Sequence, residues 1–208
     1  MKFEEAKKLY ADEILCFQEQ KKAIRRLWNI DDGVAAFLFE LVNAVKPDRL
    51  LEIGTSNGYS TFWLAKAADR SDGTVETIEV DDERFQLARK NLNNLKNVVM
   101  HFGKAEEIIP FLECKYDFVF IDAGKIGYIN YIKLLEDKLT DDCLVIADNV
   151  ISHRKTVKDY CDYLMSNDKF QNKYLSIEDG LLVSIHKNQN QRIHAVDKIM
   201  NKYGDYYA

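Results

Sequence analysis

Proline is scarce, at 2 residues in 208, and the 9 glycines form no Gly-, Pro- or Ser-rich stretch that would serve as a linker. That excludes folded units strung on flexible connectors, and 208 residues suffice for one substantial core, so residues 1–208 read as a single domain. The 4 cysteines, Cys16, Cys114, Cys143 and Cys161, are scattered without a CxxC pair, a pattern of reduced thiols rather than of disulfides or zinc. Long apolar runs are missing: the stretch from Val34 to Val45 is interrupted by Glu40 and too short to span a bilayer. The opening MKFEEAKKLYADE alternates charges where an export signal needs an apolar centre, so a cytoplasmic location without membrane contact is expected. Positive charge is in deficit, with a formal net charge of -5, which excludes a surface that grips nucleic acid as a whole. The local exception is KKAIRR, Lys21 to Arg26, in an expected N-terminal helix, where a solvated helix face competes with a binding role.

The residues that are present follow a clear rhythm. Apolar positions recur at helical intervals from Phe3 to about Trp28, and a second helix starts near Asp32 and Gly33 and stops before Pro47. RLLEI then reads as a strand, Gly54 to Gly58 as a turn and Tyr59 to Ala68 as a helix. The alternation continues with strand TVETIEV, helix Asp82 to Leu95, strand NVVMHF, a short helix Ala105 to Leu112, strand YDFVFID, helix Gly124 to Leu139, strand CLVIADN and helix Thr156 to Asn167. Such alternation predicts an α/β fold: a Rossmann-like, doubly wound, mostly parallel sheet with helices on both faces. At the end NKYLSIE and GLLVSIHK are separated only by the Asp179-Gly180 turn, with no room for a crossover, so the last of seven strands is antiparallel. A helix from about Gln191 to Tyr203 closes the chain.

Ligands of an open parallel sheet bind at the carboxyl ends of its strands. The polar residues expected there are Glu52 to Gly58, Glu79, Gly103, Asp122, and Asp148 with Asn149. The turn Gly54-Thr-Ser-Asn-Gly58 lets the backbone approach a ligand before a helix whose first N-H groups are free. Ser56 stands where a dinucleotide fingerprint would have its middle glycine, and Glu79 at the end of the second strand suits the two hydroxyls of a ribose. A nucleoside cofactor is the expectation. If the fourth and fifth strands are neighbours about 4.8 Å apart, Asp122 and Asp148 stand side by side, and two close anions need a cation or a shared proton. With the Asn149 oxygen they offer a hard divalent ion such as Mg²⁺ three ligands; the competing reading is that Asp148 and Asn149 only begin and cap a loop. Lys125 follows three residues after Asp122. A lysine beside a cation in a cleft loses proton affinity, as a general base requires; the alternative is a solvated helix lysine.

In several ordered motifs the sequence resembles the cation-dependent O-methyltransferases of the catechol and caffeoyl-CoA type, class I S-adenosylmethionine enzymes. The similarity runs roughly from Ile30 to Lys187. LEIGTSNGYSTFWLA looks like the first cofactor motif, ETIEVDDERFQLARKNL like the second, and FGKAEEIIPFL like the segment bordering adenine. YDFVFIDAGKIGY resembles the pattern carrying the first metal aspartate and the lysine, VIADNV the Asp-Asn metal pair, and DGLLVSIHK the closing strand. The resemblance implies that Glu52, Gly54, Thr55, Ser56, Gly58, Ser60, Glu79, Val80, Gly103, Lys104, Ala105 and Asp122 surround S-adenosylmethionine. It further implies that Asp122, Asp148 and Asn149 hold a divalent cation, most simply Mg²⁺, that Lys125 is the base with Asp122 beside it, and that the protein is a homodimer. The expected division is N-terminal helices in residues 1–46, a cofactor- and metal-binding core in 47–187 and a helical tail in 188–208.

The chain departs from the family at Lys104, often aspartate in bacterial relatives, and at Gly124, where a larger or acidic residue is common. Counting back from Asp179-Gly180 puts Lys173 where the catechol enzymes have a substrate-facing glutamate, which argues against catechol itself. The expected reaction is methylation of a hydroxyl, phenolic or in a vicinal diol, on a small molecule. A tRNA hydroxyuridine O-methyltransferase would use the same site with KKAIRR, Arg154 and Lys155. An NAD-dependent oxidoreductase and a non-catalytic binding module are the remaining readings; Ser56 speaks against the former and the complete Asp122, Lys125, Asp148, Asn149 set against the latter. His153 is a candidate acceptor contact or plain polar surface. Tyr203, Tyr206 and Tyr207 are candidates for covering a pocket or a subunit contact, or for packing on their own domain.

Overall fold

The computed structural model describes residues 1–24, 27–187, 190–204 and 206–207. The first expected helix is two: α1 (Phe3–Leu9) and α2 (Ala11–Ala23), broken at Tyr10, whose backbone leaves helical geometry at φ -109°, ψ 31°. The chain stops being helical at Ala23 rather than near Trp28, and residues 27–31 run in irregular conformation to α3 (Asp32–Val45). Lys46 takes the left-handed conformation that ends α3, and Pro47 prevents its continuation.

Next come β1 (Arg49–Ile53), α4 (Tyr59–Ala68), β2 (Thr74–Glu79), α5 (Asp82–Asn91), β3 (Val98–Phe102), α6 (Ala105–Ile108) and β4 (Tyr116–Ile121). They are followed by α7 (Tyr128–Leu135), β5 (Leu139–Ala147), α8 (Lys158–Met165), β6 (Phe170–Leu175), β7 (Leu181–His186), α9 (Asn190–Tyr203) and β8 (Tyr206–Tyr207). The sheet order is β3-β2-β1-β4-β5-β7-β6-β8. Pairs among β1 to β5 are parallel, and β7 runs antiparallel to both β5 and β6. The expected seven strands are all present with the expected directions. The two-residue β8, paired with β6, is an addition that the tail's helical pattern concealed. β5 begins at Leu139, ahead of the apolar run, and its register on β4 shifts between Tyr116 and Phe118 where the polar Thr-Asp-Asp segment is absorbed.

Side chains on the two faces of the sheet form separate apolar layers. One joins Leu50, Phe118, Phe120 and Ile146 to α3, α4 and α9; the other joins Leu51, Ile53, Val119 and Val145 to α6, α7 and α8. Period-two alternation along each strand assigns the faces. The N-terminal helices dock on the first layer by Phe3, whose ring lies 4.6 Å from that of Trp63, and by Phe17, 5.5 Å from Phe62. Each buried aromatic of this kind contributes about 1.5–3 kcal/mol by area removed from water. Tyr203 packs edge-on against Phe37 at 5.8 Å, on its own domain. The side chains of Tyr206 and Tyr207 lie outside the described residues.

Candidate active site

β1 and β4 are neighbours, yet the chain leaves β1 toward β2 on one side and returns to β4 on the other, which makes the carboxyl ends of these two strands the switch point of the sheet. Backbone bonds lock the crevice there: Asp122 N donates to Ile53 O at 2.9 Å and Asp148 N to Ile121 O at 3.0 Å. Gly54 has φ +105°, and a Cβ on it would lie 2.0 Å from the Asp122 carbonyl oxygen, so only glycine lets the turn after β1 pass that close to β4.

A cavity of about 860 Å³ opens at this point. Of the residues expected to surround a cofactor, Gly54, Ser56, Glu79, Val80, Gly103, Lys104, Ala105 and Asp122 line it. Glu79 is buried; its carboxylate accepts from the N-H groups of Ser56 at 2.7 Å, Val80 at 3.0 Å and Asp81 at 2.9 Å, with Arg84 Nε 3.8 Å away. It therefore couples the glycine turn to the end of β2. Lys104 is exposed and pairs with Glu107 at 3.5 Å.

Glu52, Thr55, Gly58 and Ser60 do not line the cavity. In β1 Glu52 shares its face with Leu50, toward α4, while Leu51 and Ile53 face the opposite layer. Fully buried, Glu52 accepts from the hydroxyls of Thr61 and of Thr77, the latter at 2.6 Å, and Thr77 is in turn 2.6 Å from the Thr55 hydroxyl. Its role is thus beneath the turn rather than in a ligand cradle. Burial pushes its carboxyl up to about 7 against the opposing effect of these hydroxyls.

The expected acidic edge is present. Asp122 and Asp148 each follow the last paired residues of β4 and β5, Ile121 and Ala147, and both line the cavity with Lys125 and Asn149. Burial first, and then the charge of Asp122, push the Asp148 carboxyl up to about 7, while the Asn149 N-H at 2.6 Å works in the opposite direction. Asn149 has φ 62°, a conformation asparagine tolerates, and its Nδ2 donates to Asp179 Oδ2 at 3.3 Å. Lys125 opens a short 3-10 turn rather than a regular helix; its Nζ is 2.9 Å from Asp122 Oδ1 and 5.4 Å from the centre of the Tyr128 ring. Nothing lies within 4 Å of a Cβ built on Gly124, which leaves the approach to Lys125 open. Among the described residues no group of three His, Cys, Asp or Glu side chains forms a metal site, so the third oxygen of a donor set would be that of Asn149.

Lys173 is buried in β6, ion-paired with Asp197 of α9, and does not line the cavity. His153 does; its Nδ1 is 2.9 Å from Ser152 Oγ. The cavity also has walls that patterning missed: Trp28, Asn29, Ile30 and Asp31 from the irregular segment, Arg84 from α5, and Glu178 and Asp179 from the β6-β7 turn. Trp28 is 71% exposed, and the Arg84 guanidinium lies 5.6 Å from its ring centre. An exposed tryptophan in a polar stretch was the available signal. Lys21 of KKAIRR lines the cavity, held by Asn29 O at 3.3 Å and Asp31 at 3.5 Å, while Arg25 and Arg26 lie outside the described residues. No described helix is long and apolar enough to cross a membrane.

Known proteins resemble the chain over much of its length. Over 136 residues the chain is 33% identical to a catechol O-methyltransferase of Niastella koreensis, covering 62% of this chain and 61% of that one. Over 119 residues it is 36% identical to a catechol O-methyltransferase of Mycobacterium tuberculosis, covering 55% and 54%. The match thus spans less than two thirds of the length of either relative. Among solved structures, an O-methyltransferase from Bacillus cereus in complex with SAH superposes with a TM-score of 0.75 at 22% identity, covering 85% of this chain and 91% of that one. The O-methyltransferase TomG from Streptomyces achromogenes, in complex with SAM, gives 0.72 at 23% identity, covering 80% and 85%. These two likenesses concern the fold, a Rossmann-like sheet. The family model described as O-methyltransferase matches residues 11–187, from the second helix to the end of the last long strand and through every element that bounds the cavity, and the chain belongs to that family.

Proposed function

We propose that the protein transfers a methyl group from S-adenosylmethionine to a hydroxyl of a small acceptor, assisted by a divalent cation, Mg²⁺ by the hardness of its oxygen donors. One observation carries the reading: Asp122, Lys125, Asp148 and Asn149 meet the glycine turn and Glu79 in a single cavity at the switch point of the sheet. The residues fit both groups. Burial first, and then the charge of Asp122, raise the proton affinity of the Asp148 carboxyl, the electrostatic condition a dication relieves. Gly54 and Ser56 bring the turn after β1 to the cavity wall, where the Glu79 carboxylate stands beside them.

Asp122, Asp148 and Asn149 would hold the cation, and Gly54, Ser56, Glu79 and Gly103 to Ala105 would hold the cofactor. When bound, the cation lowers the pKa of an acceptor hydroxyl, and the cofactor supplies an electrophilic sulfonium methyl. Lys125 is the group positioned to take up the acceptor's proton, its chain aimed by Asp122 and the Tyr128 ring. Trp28 to Asp31 wall the cavity and limit water at a transfer that neutralises charge. Lys173 does not line the cavity, so a catechol would lack the substrate-facing glutamate that the resemblance places at this position.

The test is methyl uptake from labelled S-adenosylmethionine over a panel of phenols, vicinal diols and tRNA. EDTA should abolish uptake and Mg²⁺ restore it, and full turnover in metal-free buffer would refute the role of the ion. Exclusive methylation of tRNA, with binding that weakens steeply as salt rises, would replace the small acceptor by a nucleic acid.

A further inference from the structure

A second cavity of about 440 Å³ lies beside the first and shares five of its lining residues, Lys21, Asn29, Ile30, Asp31 and Glu178. Its remaining wall includes the rings of Phe17 and Tyr59, whose centres are 5.4 Å apart in an edge-on arrangement. Three carboxylates, Asp31, Asp32 and Glu178, face one lysine there. Two of the three are already matched. Asp31 pairs with Lys21 at 3.5 Å; Asp32 pairs with Lys7 at 2.7 Å and accepts from Tyr59 Oη at 2.8 Å. Among the described residues Glu178 has neither a hydrogen bond nor an ion pair, although it lines both cavities.

Its position is defined rather than free. Glu178 sits in the β6-β7 turn at φ 45°, and its Oε1 lies 3.2 Å from where a Cβ on Gly33 would be, so the carboxylate is folded over the first turn of α3. An unmatched carboxylate in the wall of a cavity, beside apolar ring surface that is itself nearly buried, attracts an organic ammonium by charge.

We infer that the second cavity is the seat of an ammonium-bearing arm of the acceptor, with Glu178 as the residue that selects it. The inference rests on the proposed methyl transfer for the identity of the other end: the acceptor's hydroxyl stands near Lys125 while its basic nitrogen reaches across the shared wall to Glu178. Lys21, held by Asp31 and Asn29 O, does not oppose the cation as a free charge.

The experiment compares a catechol bearing an aminoethyl arm with 4-ethylcatechol, which has the same ring and no charge. The wild-type chain should show a KM for the amine about three- to tenfold lower, the range of a partly exposed ion pair. In Glu178→Gln the ratio of the two KM values should fall to near one, and Glu178→Lys should favour the carboxyethyl analogue instead. Equal KM values in the wild type, or a preference that survives Glu178→Gln, would overturn the inference while leaving the methyl transfer intact. Should neither catechol be methylated, the proposed methyl transfer is decided by the wider acceptor panel, and calorimetry with the same compounds still decides the subsite: tighter amine binding that depends on Glu178 upholds it, and its absence refutes it. Glu178 is exposed, so each variant should keep the wild-type melting temperature within a few degrees, as surface changes do.

Discussion

Lys125 Nζ lies 2.9 Å from Asp122 Oδ1, so the proposed base and one proposed cation ligand form a single charge pair at the end of β4. If Lys125 removes the acceptor's proton, Lys125→Met should lower kcat by about 10²- to 10⁴-fold, the usual contribution of a positioned general base. Its affinity for S-adenosylmethionine, measured by calorimetry, should stay within about threefold, because the residues proposed to hold the cofactor lie at the ends of β1, β2 and β3 and do not include Lys125. An equal loss of affinity and rate would assign Lys125 to binding.

Gly54 passes so close to the Asp122 carbonyl that any side chain collides with backbone, at a φ that L residues rarely adopt. Gly54→Ala should destabilise the fold by about 3 kcal/mol. The melting temperature should then fall by roughly 10 °C. A variant melting like the wild type would show that the two strand ends separate at little cost.

Glu52 titrates near 7 when folded and near 4.5 when unfolded, so folding favours its protonated form. Its contribution to stability is therefore greatest below pH 4.5 and is lost as pH rises toward 7, a change on the order of 3 kcal/mol at about 1.4 kcal/mol per unit. Glu52→Gln should remove that slope. Urea unfolding of both proteins from pH 4.5 to 8 checks it, and parallel stability curves would refute the buried proton.

The chain has 2 tryptophans, Trp63 fully buried and Trp28 71% exposed on the cavity wall. Adding S-adenosylmethionine should change the intrinsic fluorescence of the wild type and not that of Trp28→Phe. A change that persists in the variant would place the response at Trp63, which does not line the cavity.

The succession of strands and helices and the carboxyl-edge residues were legible because both depend on short-range signals: period-two and period-3.6 apolar patterns, a glycine turn, and acids at strand ends. Asp122, Asp148 and Asn149 follow directly from where YDFVFI and CLVIA stop. Glu52 was misplaced because which face of β1 meets α4 is a tertiary fact; the alternation in RLLEI gives two faces and does not say which one the cleft adjoins. Trp28 and Glu178 reach the cavity from segments distant in sequence from the glycine turn, with no periodicity to mark them. Lys173, which stands where the catechol enzymes have a glutamate, pairs with Asp197, 24 residues on, a partnership that no local pattern announces.

The loop after β5 and the β6-β7 turn are laced together, Val150 N to Gly180 O at 3.0 Å and both Ile151 N and Ser152 N to Asp179 O at 3.1 Å. The glycine turn and Glu79 belong to a different part of the chain, tied to one another through Ser56 N. Under the proposed function, acceptor choice and methyl-donor handling would then be rewritten by separate mutations, and randomising residues 151–153 with 176–179 should change the acceptor while leaving S-adenosylmethionine affinity as it stands.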